Sequence, residues 1–474
     1  MSGLRHVTSI NDLDNAEIEQ IFALADKYLT DYGDTIERTE RTRSGANLTL
    51  RRIARSGRMG TGSILATLFY EPSTRTRLSF ESAMLRLGGR TITSADSSTS
   101  SAAKGESLAD TVRMVSSYAD AIVIRHPRDG AAKLAAQYAS IPVINGGDGA
   151  HEHPTQTLCD LFTMRRGKKN LRNLSVAIAG DLKGSRTIHS FVYALARFGA
   201  EIRLMPGAKG MELPAHVDWR LKNEFKCVPL PKARYADDEA VDALYVTADQ
   251  PHQLSLIAGA DANVKLKKGI DAVYVTRFQK ERWSEEAQNY MKVDSRFLQN
   301  RRYKHSSVMH PLPRVGELDV ALDHDTRAAY FQQAAYGVPI RMALIAEILG
   351  LEKAFALEQF KSGFRPGEYE LYERPGSTGI RCRNPNCIVH DPHEGPYAAN
   401  KFYLVPGPRL RCYYCETDIE DFLIAHRRSG HYDSKLSRKR HAGDFRNLVF
   451  FADEASAETA GYSKGQKRSA AGKR

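Results

Sequence analysis

The segment Ser73-Thr74-Arg75-Thr76-Arg77 places three hydroxyls and two guanidinium groups between an apolar stretch, Ile64–Tyr70, and an amphipathic one, Leu78–Leu87. A strand, a tight polar turn and a helix in that order present unpaired N–H groups and partial positive charge at the helix start. That favours a phosphate. The hydroxyls add donors, and guanidinium groups grip phosphate oxygens in pairs. The competing reading is a capped helix with two surface arginines. The GxxxxGK[ST] frame is missing, so ATP chemistry is not implied.

A second group of chemistry-bearing residues lies near the C-terminus. Cys382-x4-Cys387 and Cys412-x2-Cys415 form two knuckles, with Asn384, Pro385 and Asn386 suited to a tight turn. Four thiolates suit a closed tetrahedral Zn2+ site, which makes the metal structural. No organic cofactor is expected. The N-terminus has no apolar core followed by a small-residue cleavage site, so two disulfides fit the expected cytoplasmic compartment poorly. Cys159 and Cys227 stand alone among apolar neighbours and read as core.

The elements that must position these groups alternate. Strands are expected at Ile64–Tyr70, Ala121–Ile124, Pro142–Asn145 and Leu174–Ala179, and helices at Leu78–Leu87, Thr157–Met164 and Thr187–Phe198. Such alternation implies an α/β fold with parallel sheets flanked by helices. The series divides near 166–173, which suggests two lobes with a cleft between them. Polar loops after strand C-termini are where such sheets bind ligands. Gly337 and Pro339 open an apolar helical run, Ile340–Leu349.

The 474 residues carry a net charge of +12. Of that excess, +7 falls between Arg427 and Arg474, in a low-complexity end that reads as a solvated tail. The location of the charge argues against nucleic acid as the main partner. No stretch reaches the roughly 18 apolar residues of a membrane span, so no membrane partner is expected.

FYEPSTRTRLSFE resembles the carbamoyl-phosphate motif of the aspartate and ornithine carbamoyltransferases. The resemblance continues, in the family's order, through SLADTVRMVSSYADAIVIRHP, HPTQTLCDLF, GDLKGSRTIHS, YVTRFQKER, VMHPLPR and YFQQAAYGVPIRMALI, over about residues 60–350. It implies transfer of a carbamoyl group from carbamoyl phosphate to an amine, here L-aspartate, in pyrimidine synthesis. Ser73, Thr74, Arg75 and Thr76 then hold the phosphate. Arg125, His153 and Thr76 polarise the carbonyl oxygen, and Gln156 contacts the carbamoyl amide. Leu312 and Pro313 form a turn, suited to a cis bond, whose carbonyl accepts from the carbamoyl NH2. Arg186, Arg277 and Gln279 match the family's aspartate-binding residues. Arg277 would repel an ornithine ammonium, which favours aspartate.

In the family, the polar segment Ser94–Asp110 crosses to a neighbouring subunit, and Ser100 and Lys104 match residues it contributes to that site. This implies a homotrimer or a multiple of trimers. Glu71 and Arg282 match ion-pairing residues of the closed state. Residues 380–426 resemble the zinc domain of the aspartate carbamoyltransferase regulatory chain, fused here behind the catalytic part. The regulatory chain's nucleotide-binding domain has no counterpart.

The expected organisation is a carbamoyl-phosphate domain over 1–165, completed by a C-terminal helix at 331–355, and an aspartate domain over 166–330 with an insertion within 200–270. A linker at 356–379, a zinc domain at 380–426 and a basic flexible tail at 427–474 follow. The rival functions are a related transcarbamylase with another acceptor and an inactive scaffold homologue.

Overall fold

Ile64–Phe69 (β1), Arg90–Ser94 (β2), Ala121–His126 (β3) and Val143–Asp148 (β4) form a sheet in the order β2-β1-β3-β4, with every pairing parallel. The computed structural model describes residues 5–31, 33–34, 52–53, 57–94, 104–168, 170–207, 209–231, 241–247, 269–277, 292–352, 369–373, 379–399, 401–405, 409–433 and 447–465. β1, β3 and β4 are buried along nearly their whole length. Continuous burial is what a parallel strand covered on both faces requires. The covering helices are Asn15–Asp31 (α1), Thr74–Leu87 (α2), Leu108–Val115 (α3), Ala131–Tyr138 (α4) and Pro154–Lys168 (α5).

Ser175–Gly180 (β5), Glu201–Pro206 (β6), Leu230–Pro231 (β7), Ala243–Val246 (β8), Ala272–Val275 (β9) and Ser307–Met309 (β10) form the second lobe's sheet. It is also parallel, in the order β10-β9-β8-β5-β6-β7, and carries helices Arg186–Arg197 (α6) and Ala215–Asn223 (α7). The helix Tyr330–Ile348 (α8) then returns to pack on α1, α2 and α5 of the first lobe. It starts ten residues before the apolar run at Ile340, and Pro339 lies inside it. The early turns hold Gln332 and Gln333, which break the apolar period, yet Gln333 is buried on hydrogen bonds.

Strand order reverses at β1 in the first sheet and at β5 in the second. Each reversal opens a crevice at the strand C-termini, where two crossovers diverge. The segment Ser73–Arg77 leaves one crevice and the segment ending in Arg186 leaves the other. Topology thus puts both sets of anion-gripping residues at ligand-binding ends.

Glu370–Glu373 (β11), Lys401–Val405 (β12), Arg409–Cys412 (β13) and Asp418–Ile419 (β14) form an antiparallel sheet. β11 falls within the linker expected over 356–379, so that stretch ends inside the zinc unit's sheet. Leu423–His426 (β15), His431–Asp433 (β16), Leu448–Phe451 (β17) and Ser463–Lys464 (β18) make a further sheet, with a short helix Glu454–Thr459 (α9). The flexible tail expected over 427–474 is therefore corrected for its described residues 427–433 and 447–465. The apolar run Leu448–Phe451, buried throughout, anchors it. Within 200–270, where an insertion is expected, residues 232–240 and 248–268 lie outside the described residues.

The Cys-rich unit docks on the first lobe. Asp129 accepts through Oδ2 from Asn384 Nδ2 at 2.7 Å and through Oδ1 from Asn386 Nδ2 at 2.8 Å. Its backbone joins Asn386 and Ile388. Buried side chains of α3, α4 and β3 share one apolar cluster with Ile388, Leu410 and Tyr414. Glu416 reaches further: its Oε2 accepts from Arg220 of α7 at 2.5 Å, and Lys133 of α4 lies 3.6 Å from its Oε1.

Candidate active site

Between the lobes lies a cavity of about 720 Å³. From the first lobe it is lined by Ser73, Thr74, Arg75, Thr76, Arg125, His153 and Gln156; from the second by Arg186, Arg277, Leu312 and Pro313. Residues spread over 240 positions are thus brought together.

Ser73 is the N-cap of α2, and its side chain makes no capping hydrogen bond. The start of α2 lines the cavity, and a helix N-terminus offers an oxyanion its unpaired amides. Burial and the charge of Arg277 both lower the pKa of Arg75. Two cations that close together call for an anion between them.

Arg125 is the last residue but one of β3, and its Nη1 donates to the Gly146 carbonyl at 3.2 Å. Burial, then the charge of Arg186, lowers its pKa to about 10, so it stays charged at neutral pH. Gly147 has φ of +114°, a conformation only glycine adopts readily. A Cβ there would lie 3.2 Å from Arg125 Nη1, 3.3 Å from His153 Cδ2 and 3.4 Å from Arg186 Cζ. The bare glycine lets three site residues converge on the chain.

His153 precedes α5, and its backbone N–H donates to Ser190 Oγ at 3.0 Å. Burial, then Arg125 and Arg186, holds its imidazole well below the usual histidine range. It is neutral at physiological pH, and its Nδ1 is buried with no hydrogen-bond partner among the described residues. His126, one residue beyond Arg125, accepts from the Arg128 amide at 3.0 Å and does not line the cavity.

The Leu312-Pro313 bond is cis, as the HPLPR text anticipates, and Leu312 has φ of +54°. His310 holds this turn. Its Nδ1 accepts from the Leu312 amide at 2.8 Å, and its Nε2 lies 2.7 Å from Glu317 Oε1. The first contact requires an unprotonated Nδ1, so the proton sits on Nε2 and points at Glu317.

Glu71 spans the cleft. Its Oε1 accepts from Arg125 at 2.5 Å and from Arg186 at 2.9 Å, and its Oε2 accepts from Arg186 at 3.1 Å. Arg282, which with Glu71 matches the ion-pairing residues of the closed state, lies outside the described residues, as do Ser100 and Gln279. Lys104 is exposed and does not line its own chain's cavity. It adjoins Gly105, where an added Cβ would lie 3.5 Å from His393 of the Cys-rich unit.

Three lining or supporting residues escaped the reading of the sequence. Arg341 of α8 is buried under the cavity, donating to the Gly337 carbonyl at 3.1 Å with its guanidinium 4.9 Å from the Phe80 ring. Gln333 lines the cavity, and Asp160 is buried behind it, accepting from Gln333 Nε2 at 2.7 Å. Only the helical phase of Arg341, opposite to a solvated face, could have pointed to it.

Residues 5–166 match the carbamoyl-phosphate-binding domain of the aspartate/ornithine carbamoyltransferases, and 172–348 match their aspartate/ornithine-binding domain. The chain belongs to the aspartate/ornithine carbamoyltransferase family. The aspartate carbamoyltransferase catalytic subunit of Thermoplasma volcanium is 43% identical over 350 residues, covering 73% of this chain and 98% of that protein. Among solved structures, the catalytic subunit of M. jannaschii aspartate transcarbamoylase is 38% identical with a TM-score of 0.54, covering 73% of this chain and 98% of its own. The Trypanosoma cruzi aspartate transcarbamoylase bound to N-(phosphonacetyl)-L-aspartic acid is 30% identical with a TM-score of 0.54, covering 72% and 94%.

This carbamoyltransferase chain also carries, at 377–424, a match to the metal-binding domain of the aspartate carbamoyltransferase regulatory chain. Cys382, Cys387, Cys412 and Cys415 are all buried, with their sulfurs within 4.8 Å of one another. Cys382 and Cys415 sulfurs are 3.4 Å apart, and Cys387 and Cys412 sulfurs 3.8 Å. Disulfides need about 2.05 Å. Four thiolates around one Zn2+, with Zn–S near 2.3 Å, stand about 3.8 Å apart. The donor set therefore fits a metal ion. No helix among the described residues is long and apolar enough to cross a membrane.

Proposed function

We propose that this chain transfers the carbamoyl group of carbamoyl phosphate to the amino group of L-aspartate, giving N-carbamoyl-L-aspartate and phosphate. The observation that carries this reading is the convergence of Arg75, Arg125, neutral His153, Arg186 and Arg277 on one cleft. Two anionic substrates meet there, and the one thiol among the lining residues, Cys159, is kept protonated by burial, which pushes it up to about 11. Relatives named aspartate carbamoyltransferase support aspartate as the acceptor.

The reaction follows from that composition. Ser73, Thr74, Arg75, Thr76 and the start of α2 hold the phosphate. Arg186, Arg277 and Gln279 hold the aspartate carboxylates. The amine attacks the carbamoyl carbon, forming a C–N bond while the carbonyl becomes an oxyanion. Thr76 and Arg125 donate to that oxygen, and His153 does so with the ring N–H of its neutral imidazole. The C–O bond to phosphate then breaks, and the amine proton passes to the departing phosphate. Most of the rate gain comes from positioning and charge, because no covalent intermediate is needed.

Lys104, exposed and outside its own cavity, suits delivery to a neighbour's site, together with Ser100. Leu78, Leu85 and Ile92 are exposed apolar side chains on the α2 and β2 side of the first lobe, which suits burial between subunits of a homotrimer. Zn2+ held by the four cysteines would fix the two knuckles without taking part in the chemistry. The domain limits read from the sequence, a cytoplasmic setting and a place in pyrimidine synthesis go with this reading.

Binding of a mimic carrying a phosphonate and a succinate group tests both halves of the site at once. Tight binding, with preference for L-aspartate over ornithine and other amines in a transfer assay, is expected. Preference for another acceptor would overturn the assignment.

A further inference from the structure

Asp160 lies on α5 one turn beyond Gln156 and is fully buried behind two residues that line the cavity, Gln156 and Gln333. It accepts three hydrogen bonds from three elements. Gln156 Nε2 donates to Oδ1 at 2.8 Å, Gln333 Nε2 of α8 to the same oxygen at 2.7 Å, and Tyr274 Oη of β9 to Oδ2 at 3.1 Å. No ion pair to Asp160 occurs among the described residues; three neutral donors satisfy it.

Burial pushes the Asp160 carboxyl up to about 7, against the pull of its three hydrogen-bond donors, and above that pH it is a carboxylate, which accepts and cannot donate. Its presence therefore decides which way two amides face. Gln156 turns its NH2 to Asp160 and spends one N–H there, which leaves Oε1, an acceptor, for the cavity the residue lines. Gln333 must do the same, so its Oε1 faces the other way and accepts from the His310 amide at 2.8 Å. His310 in turn holds the Leu312 amide through Nδ1 at 2.8 Å. One buried carboxylate thus governs both the Gln156 amide and the cis turn carrying the Leu312 carbonyl.

We infer that Asp160 is the positioning residue that makes this site read an NH2 group, so that a carbamoyl phosphate is accepted and an acyl phosphate with methyl in place of NH2 is refused. The inference rests on the carbamoyl-transfer reading above and specifies what selects the donor substrate. Methyl and NH2 have nearly the same size, so shape alone discriminates weakly. Two preset acceptors left unpaired by a methyl group discriminate far more strongly. Tyr274 adds a link to the second lobe, because it sits three residues before Arg277 on the strand leading to the acceptor's grip.

Asp160→Asn keeps the shape and offers an NH2 of its own, which frees Gln156 to turn its NH2 to the cavity. The experiment compares aspartate transfer from carbamoyl phosphate and from acetyl phosphate, with inorganic phosphate as an inhibitor that lacks both groups. For Asp160→Asn, kcat/KM with carbamoyl phosphate should fall at least tenfold more than with acetyl phosphate. The inhibition constant of phosphate should change less than threefold. The double variant Gln156→Glu/Asp160→Asn restores an acceptor facing the cavity and should recover part of the lost preference. Equal losses with both donors, or a parallel loss of phosphate affinity, would reduce Asp160 to a structural role. Should Asp160→Asn not fold, Gln333→Met removes one branch only and carries the same expectation and the same overturning result. A wild-type chain that transfers no carbamoyl group would refute the functional reading itself, before any variant is compared.

Discussion

Glu71 and Arg186 face each other across the cleft as a two-point pair, Oε1 at 2.9 Å and Oε2 at 3.1 Å from the guanidinium. Arg186 opens α6 in one lobe, and Glu71 follows β1 in the other. The carboxylate occupies a guanidinium that the proposed reaction needs for a substrate carboxylate.

This pair predicts a pH signature. Burial alone would raise the Glu71 pKa, but hydrogen bonds and charge from Arg186 and then Arg125 bring it down to about 2, from 4.5. A carboxyl with a depressed folded-state pKa stabilises the fold above its unfolded pKa, and that contribution is lost as pH falls through the folded value. In Glu71→Gln, the dependence of Tm on pH between 4.5 and 2 should therefore be shallower than in the wild type. Parallel curves for the two proteins would contradict the bridge.

Arg75→Ala should leave the fold intact and remove most activity. Loss of one preorganised donor to developing charge commonly costs about 10²–10³ in rate. Steady-state kinetics beside far-UV circular dichroism would check this. Activity within tenfold of the wild type would displace Arg75 from the phosphate site.

His153 should remain neutral across the working range. Its burial beside Arg125 and Arg186 opposes a further positive charge. Imidazole nitrogen shifts in ¹⁵N-histidine-labelled protein should show a neutral ring for His153 at pH 6. An imidazolium there would rule out its donating as the neutral tautomer.

Glu416→Ala should destabilise the chain through Arg220, which would lose a buried partner at 2.5 Å. Breaking a buried pair on one side costs roughly 3–5 kcal/mol. Denaturant unfolding, with metal content measured alongside, would separate this from loss of the metal next door. A change under about 1 kcal/mol would show that Glu224, 2.9 Å from Arg220 Nε, suffices.

The strands, the anion-binding turns and the Cys knuckles were legible because each is written locally. Apolar runs mark β1 and β5, and Ser73–Arg77 and Cys412-x2-Cys415 carry their chemistry within a few residues. The Glu71–Arg186 pair, 115 positions apart, leaves no local trace. Asp160 reads as an ordinary polar residue, since nothing near it in the chain announces that Gln333 and Tyr274 will close over it. The C-terminal sheet was hidden for a different reason. The surrounding Lys and Arg residues dominate the composition, and the four apolar residues Leu448–Phe451 that nucleate burial are few.

The Cys-rich unit belongs to the same chain as the lobes it joins through Asp129 and Glu416. A module on a continuous chain meets its docking face at an effective concentration set by the connecting length, independent of how much protein is present. Undocking here is unimolecular. Dilution, which strips a separately encoded subunit from its partner, leaves the ratio of docked to undocked forms unchanged. Every catalytic unit made therefore carries one such module, without any balance of expression between two genes.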